Sequence, residues 1–124
     1  MPDTLPLVAV VDDDESIRVS TSSLLRSHGY SVRTFSAADE FLCSDEASLF
    51  ACVISDIQMP GTDGLGLAQA YRTAGGAAPI IFITAFYDAK IAARARAAGV
   101  ADILNKPFDP QALVEAIVRA LKNP

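Results

Sequence analysis

Three consecutive aspartates follow the first apolar run of the chain. The segment VAVVDDDESIR places Asp12, Asp13 and Asp14 directly after it. Carboxylates this close together are costly unless a cation lies among them. Oxygen ligands without histidine or thiolate favour Mg²⁺ over zinc or copper. Asp14 is expected to cap the following helix, but Asp12 and Asp13 cannot both cap it, so at least one of them needs another role.

Three further side chains could work with these carboxylates. Asp56, Thr84 and Lys106 each lie at or just after the end of a later apolar run. Carboxylate, magnesium, ammonium and hydroxyl together make a site for a phosphoryl group. A carboxylate can itself be the nucleophile and form an acyl phosphate. Asp56 is the best candidate, because it stands alone at a strand end rather than in the acidic run.

These side chains can meet only if the chain brings several strand ends together. Short apolar runs predict five strands, most of them without the alternation of a half-exposed sheet, which indicates burial on both faces. The predicted strands are Leu7–Val11, Ser31–Phe35, Ala51–Ile54, Ile80–Ile83 and Ala101–Leu104.

Helical patterns lie between the predicted strands. They follow Asp14, the Ser36 cap, the MPGTDG segment, Asp88 and the Asp109–Pro110 pair. Gly61 and Gly64 of MPGTDG are expected to serve only turn geometry after Pro60. Strand and helix therefore alternate five times, which predicts an α/β fold: one doubly wound (βα)5 domain with a parallel sheet and helices on both faces. In such folds functional groups gather at the carboxyl ends of the strands.

Length and composition limit the classes of protein that fit. The 124 residues suit one domain, taken here as 1–124, and 51% hydrophobic residues argue against disorder. A net charge of −5 argues against a nucleic-acid surface. No apolar run reaches the ~20 residues that span a bilayer. Cys43 and Cys52 are isolated, which suits a reducing, cytoplasmic location, and they are expected to be small core or near-core residues.

Four segments carry a family resemblance. VVDDDESIR, VISDIQMPGTDGLGL, IIFITA and DILNKPF resemble the motifs of the response regulator receiver domain of two-component signalling. The motifs occur in the right order and cover nearly the whole chain. Within this family the sequence is most similar to receivers of the FixJ type, whose full-length members commonly carry a LuxR-like DNA-binding domain. The resemblance implies a five-stranded sheet in the flavodoxin-like order 2-1-3-4-5.

The resemblance also implies roles for the acidic residues. Asp56 would be the phosphoacceptor and would share a Mg²⁺ ion with Asp13, which would bind it directly. Asp12 would assist the metal through water, and the backbone carbonyl of Gln58 would be a further ligand. The phosphoryl donor would be the phosphohistidine of a sensor histidine kinase. The domain would promote its own phosphorylation and dephosphorylation without being a turnover enzyme.

Further implied roles concern switching and hydrolysis. Thr84 would hydrogen-bond the phosphoryl group and Lys106 would pair with it, next to a cis peptide bond before Pro107. Movement of Thr84 would let the residue at position 103 turn inward. Ile103 stands where the family often has an aromatic ring, so signalling through a ring at this position is not expected. Phe86 would shield the acyl phosphate from water and slow its hydrolysis, and Gln58 would also tune that rate.

The expected output is a change of the surface formed by the fourth helix, fifth strand and fifth helix. That surface would form a homodimer on phosphorylation and control an output domain or partner, for example one that acts in transcription. Direct nucleic-acid binding by this chain and membrane association are not expected.

Three other functions compete with this interpretation. A phosphatase of the haloacid dehalogenase type would use Asp12 as nucleophile and Asp14 as acid/base, with Thr84 and Lys106, but it would leave Asp56 without a purpose. A flavodoxin-like cofactor binder suits the fold, yet four acids after the first strand would repel a phosphate. The third alternative keeps the receiver-like fold but is never phosphorylated and serves only as an interaction module.

Overall fold

A computed structural model describes residues 5–122, in which strands and helices alternate along the chain. The strands are β1 (Leu7–Val11), β2 (Ser31–Phe35), β3 (Cys52–Asp56), β4 (Ile80–Thr84) and β5 (Asp102–Asn105). The helices are α1 (Glu15–Ser27), α2 (Ala38–Leu42), α3 (Gly64–Thr73), α4 (Ala89–Ala97) and α5 (Pro110–Lys122). A single 3₁₀ turn, Ala47–Leu49, precedes β3.

The strands form one parallel sheet in the order β2-β1-β3-β4-β5, as predicted. Successive side chains of a strand point to opposite faces, and both faces are covered here. In β1, Val8 and Val10 pack with α1 and α5, whereas Ala9 and Val11 pack with α2, α3 and α4. Burial on both faces explains why the central strands are continuous apolar runs.

Aspartates fix the starts of four helices. The Asp14 carboxylate accepts hydrogen bonds from the amides of Ser16 and Ile17 at the start of α1. Asp63 accepts from the Gly66 amide at the start of α3, Asp88 from that of Ile91 at the start of α4, and Asp109 from that of Gln111 at the start of α5. These caps satisfy backbone donors that have no partner within the helix.

The prediction that Ser36 caps α2 was wrong. Ala37 precedes this helix and makes no side-chain capping bond. The amide and hydroxyl of Ser36 instead both donate to Glu40 Oε1, at 2.7 and 2.8 Å. The Glu40 side chain thus reaches back over the first turn of α2, and the Ser36 hydroxyl donates to it instead of accepting from a helix amide.

The two cysteines differ in environment. Cys52 lies in the core, as predicted, and burial raises the pKa of its thiol to about 12. Cys43 follows α2 and is exposed, so its prediction as a core or near-core residue was wrong. None of the helices within residues 5–122 is long and apolar enough to cross a bilayer.

Candidate functional site

The carboxyl edge of the sheet brings together side chains that are far apart in the sequence. Asp12 follows β1, Asp56 ends β3, Thr84 ends β4 and Lys106 follows β5. The Lys106 amide donates to the carbonyl of Thr84 at 2.8 Å, which holds the segment after β5 against the end of β4. The Lys106–Pro107 bond is cis, as the resemblance implied.

Lys106 joins the two buried carboxylates. Its Nζ lies 2.9 Å from Asp12 Oδ2 and 3.1 Å from Asp56 Oδ2. Partial burial disfavours the ammonium, but the two carboxylates outweigh it and raise the pKa of Lys106 above its ordinary value. The lysine is therefore held as a fixed positive charge at the sheet edge.

Asp56 is a buried residue, and each of its carboxylate oxygens accepts a hydrogen bond. Oδ2 accepts a hydrogen bond from Lys106, and Oδ1 accepts one from the Gln58 amide at 3.2 Å. Burial, aided by the charge of Asp12, raises the pKa of Asp56, and the opposing effect of Lys106 is smaller. An anion at this position therefore lacks part of the stabilisation it would have in water.

Three carboxylates could hold a cation together. Ligand oxygens of Asp12, Asp13 and Asp56 all lie within 4.8 Å of one another. Asp12 Oδ2 is buried and accepts no hydrogen bond within the described part of the chain, because its contact with Lys106 is an ion pair without hydrogen-bond geometry. A buried oxygen with spare capacity among hard ligands fits a small divalent cation such as Mg²⁺.

The Thr84 hydroxyl makes contacts that the sequence did not predict. Thr84 Oγ1 donates to the side-chain oxygen of Gln58 at 2.8 Å and accepts from the Phe86 amide at 3.0 Å. The Gln58 side chain thus joins the end of β4 to the loop after β3. Only the Gln58 backbone carbonyl had an implied metal role, and no sequence signal pairs its side chain with Thr84.

Arg18 is a second residue whose contact with the site was missed. Its Nη1 donates to the backbone carbonyl of Asp12 at 2.7 Å. The bond joins the first turn of α1 to the loop after β1 that carries the aspartates, and it places the guanidinium at the backbone of that loop. Arg18 stands six residues after Asp12 in VVDDDESIR. This spacing places a long basic side chain in the first turn of α1, and it could have been used to predict a contact with the strand end.

The residues expected to act in switching lie beside the site. Ile103 is half-buried in β5 and packs against the core on the α4 side. The Phe86 side chain is 70% exposed in the loop between β4 and α4. The structure therefore places Phe86 at the rim, where its amide rather than its ring contacts Thr84.

Gly64 allows the backbone after Asp56 to approach α3 closely. A β-carbon on Gly64 would lie 2.5 Å from the carbonyl oxygen of Asp56 and 2.8 Å from Ile57 Cα. The glycine amide also donates to the carbonyl of Ile57 at 2.9 Å. Gly64 therefore has a close-packing role that goes beyond the turn geometry its sequence suggested.

Replacing Gly64 with alanine is expected to lower the free energy of unfolding by about 1–3 kcal/mol, because the backbone at Asp56 has to move. The same movement should slow phosphorylation of the chain by acetyl phosphate. Gly66→Ala is the matched control in α3, since its added carbon meets only the Thr62 methyl, at 3.0 Å, and Asp63 Oδ1, at 3.5 Å. Equal losses in urea denaturation for both variants would contradict the close-packing role.

Asp14 does not suit the acid/base role that a phosphatase requires. Its carboxylate is taken up by the cap of α1, and the Ser16 hydroxyl and amide hold the pKa of Asp14 below its usual range. A general acid needs a raised pKa instead.

Comparison with known proteins agrees with the geometry. Residues 8–118 match the family model of the response regulator receiver domain. The chain is 42% identical to the transcriptional regulatory protein TdiR of Thauera aromatica over 92% of its own length and 50% of that protein. It is 36% identical to the transcriptional regulatory protein FixJ of Azorhizobium caulinodans, over 98% of this chain and 57% of the relative.

A solved structure shows the same fold. The chemotaxis protein CheY4 of Vibrio cholerae matches 95% of this chain and all of its own length, with a TM-score of 0.89 and 31% identity. The predicted strand order and the resemblance to FixJ-type receivers are thereby confirmed. The chain spans about half the length of the curated relatives named above.

Proposed function

The chain belongs to the response regulator receiver domain family, and we propose that it is a phosphorylation-dependent signalling switch whose phosphoacceptor is Asp56. One observation carries the proposal: the Lys106 ammonium lies between Asp12 and Asp56 at the carboxyl edge of the sheet. A buried carboxylate held beside a fixed cation is suited to accept a phosphoryl group. We take residues 1–124 as one such domain.

The chemistry is a transfer to a side-chain oxygen. One carboxylate oxygen of Asp56 forms a bond to phosphorus while the bond to the donor breaks, and the donor leaves with that electron pair. Lys106 balances charge on the phosphoryl oxygens, and the Thr84 hydroxyl can donate a hydrogen bond to one of them. The backbone amide of Gln58 orients the carboxylate before transfer.

A magnesium ion would complete the site. Asp13 and Asp56 would bind it directly, Asp12 would assist through water, and the Gln58 carbonyl would be a further ligand. When bound, it would neutralise negative charge on the transferring phosphoryl group. The cluster of three carboxylates supports this assignment.

The partners follow from the family. A sensor histidine kinase would supply the phosphoryl group, and the switch would act on an output domain or partner, with transcriptional control suggested by relatives named as transcriptional regulators. Phosphorylation would favour a homodimer through the surface of α4, β5 and α5. The net charge of −5 supports the absence of direct nucleic-acid binding by this chain. We place its work in the cytoplasm, as a switch without turnover of an external substrate.

Intact mass after incubation with acetyl phosphate and Mg²⁺ tests the phosphoacceptor. We expect the wild type and the control Asp45→Asn, an exposed carboxylate before the 3₁₀ turn, to gain one phosphoryl group only when Mg²⁺ is present. Asp56→Asn should gain none, because the nucleophilic oxygen is replaced by an amide. A gain that survives in Asp56→Asn would move the nucleophile elsewhere, with Asp12 next in line. No gain in the wild type would favour an unphosphorylated interaction module.

Phe86→Ala is expected to shorten the lifetime of the acyl phosphate several-fold. Phe86 follows Thr84 by two residues and its ring is largely exposed at the edge of the site, so removing the ring would open a path for water to an acyl phosphate on Asp56. Phe86→Leu, which keeps most of the bulk, is the matched control. Loss of the phosphorylated mass with time after removal of acetyl phosphate measures the rate, and equal lifetimes for wild type and Phe86→Ala would contradict the shielding role.

A further inference from the structure

The carboxylate of Asp13, a proposed metal ligand, is not held by any side chain. Asp13 is exposed, and within residues 5–122 its carboxylate accepts no hydrogen bond and forms no ion pair. Its oxygen nevertheless lies within 4.8 Å of oxygens of Asp12 and Asp56. This approach therefore depends on the backbone that carries Asp13.

That backbone is held on both sides of Asp13. On the preceding side, the Asp12 amide donates to the Phe35 carbonyl at 3.1 Å, and the Asp12 carbonyl accepts a hydrogen bond from Arg18 Nη1 at 2.7 Å. On the following side, the Asp14 amide donates to Asp12 Oδ1 at 2.9 Å. Because a peptide unit is planar, fixing the Asp12 carbonyl also fixes the direction of the bond into Asp13.

Arg18 makes its contact without occupying a carboxylate. Its guanidinium donates to a main-chain oxygen and forms no ion pair in the described part of the chain. The oxygens of Asp13 thus keep their full capacity to bind a cation. An arginine that had paired with Asp13 instead would compete with the metal for the same oxygens.

We propose that Arg18 is a positioning residue for the Mg²⁺ site, because its hydrogen bond to the Asp12 carbonyl holds Asp13 where it can bind the ion. This inference rests on the proposed function. Neighbouring aspartates repel one another before a cation binds, and a fixed main chain avoids the cost of ordering them at the moment of binding. Residues that orient metal ligands in this way typically contribute about 10- to 100-fold to metal affinity.

The positive charge of Arg18 acts in the opposite direction from its hydrogen bond. A guanidinium beside the loop repels a cation, whereas the bond to the Asp12 carbonyl organises the ligands. Removal of Arg18 should tighten Mg²⁺ binding if the charge dominates and weaken it if the positioning dominates. The bond is short, at 2.7 Å, and is made to the peptide unit that leads directly into Asp13, which favours positioning.

A titration with MgCl₂, followed by the amide chemical shift of Asp13 in ¹⁵N-labelled protein, tests the inference without phosphorylation. Arg18→Met is expected to raise the Kd for Mg²⁺ about tenfold. Arg18→Lys keeps the charge and a donor but not the planar fork, so its Kd should lie between the two. Arg26→Met is the matched control and should keep the wild-type Kd. Arg26 is an exposed arginine of the same helix, and its side chain makes no hydrogen bond or ion pair among the described residues.

The rate of phosphorylation by acetyl phosphate gives a second readout. Arg18→Met should raise the Mg²⁺ concentration for half-maximal rate about tenfold and leave the rate at saturating Mg²⁺ within about threefold of the wild type. A merely structural role would lower the saturated rate and the stability to urea in EDTA while leaving the Kd for Mg²⁺ unchanged.

The outcomes separate the two proposals. A Kd for Mg²⁺ that is unchanged or lower in Arg18→Met, or that rises equally in Arg26→Met, would overturn the inference alone. No phosphoryl gain in the wild type would overturn the proposed function, while the Mg²⁺ titration would still decide the role of Arg18. A wild type whose amide shifts do not respond to Mg²⁺ would overturn both the metal site and the inference.

Discussion

Replacing Lys106 with methionine is expected to slow phosphorylation of Asp56 by acetyl phosphate about 100- to 1000-fold. Removal of one preorganised group that stabilises transition-state charge typically has an effect of this size. Methionine keeps most of the apolar stem and removes the ammonium that lies 2.9 Å from Asp12 and 3.1 Å from Asp56. The initial rate of the mass gain, at saturating Mg²⁺, measures the loss.

Two controls accompany this variant. Lys90→Met removes an exposed lysine from α4 and should leave the rate unchanged. Lys106→Arg keeps the charge but not the compact ammonium, so an intermediate rate is expected. A Lys106→Met rate within about threefold of the wild type would contradict the role given to this residue.

The stability of Lys106→Met has to be measured alongside its rate. Loss of the ammonium leaves two buried carboxylates without a counter-charge, and breaking a buried pair in this way typically costs about 3 kcal/mol or more. Far-UV circular dichroism and urea denaturation show whether the variant is folded under the assay conditions. The expected loss of rate refers to the folded protein, whose fraction is obtained from the denaturation curve.

The site's main members could be predicted because each ends or follows a buried strand. Asp56 and Lys106 are 50 residues apart in the sequence, and the alternation of strands and helices is enough to bring them to one edge. The order of the strands in the sheet could not be derived in this way, because alternation of strands and helices allows more than one order. It came from the family resemblance, and the structure confirms it.

The contacts that were missed depend on side-chain direction and on close approach. The bond from Thr84 to Gln58 requires knowledge of where the loop after β3 turns, which no local pattern in MPGTDG gives. Gly64 was predicted to serve only turn geometry. Its close approach to the Asp56 carbonyl joins two segments and has no signature in the sequence. Ser36 was misread for a related reason: a serine three or four residues before an acid fits both a helix cap and a direct side-chain bond.

The second large effect concerns stability and metal together. In metal-free protein, Asp56→Asn is expected to raise the free energy of unfolding by about 1 kcal/mol, although it abolishes phosphorylation. Burial raises the pKa of Asp56, so at neutral pH the ionised carboxylate is less favourable in the folded chain than in the unfolded one. The amide removes this cost, and Lys106 keeps Asp12 as a partner at 2.9 Å. Replacement of a buried charge by a neutral group is often stabilising to this extent.

Magnesium should reverse the order of the two proteins. A ligand that binds only the folded state at 100 times its Kd stabilises that state by about 2.7 kcal/mol. The wild type would gain this amount, whereas Asp56→Asn would gain less because one proposed metal ligand has lost its charge. Urea denaturation in EDTA should therefore rank the variant above the wild type, and denaturation in saturating Mg²⁺ should rank it below.

Asp45→Asn serves as control, since this exposed carboxylate should leave the unfolding free energy within about 0.5 kcal/mol of the wild type in both conditions. A gap between wild type and Asp56→Asn that does not depend on Mg²⁺ would remove Asp56 from the metal site. A variant that is less stable than the wild type in EDTA would mean that the pair with Lys106 outweighs the burial of Asp56. The crossing of the two rankings is therefore what identifies a site that is costly when empty of metal and stabilising once the cation binds.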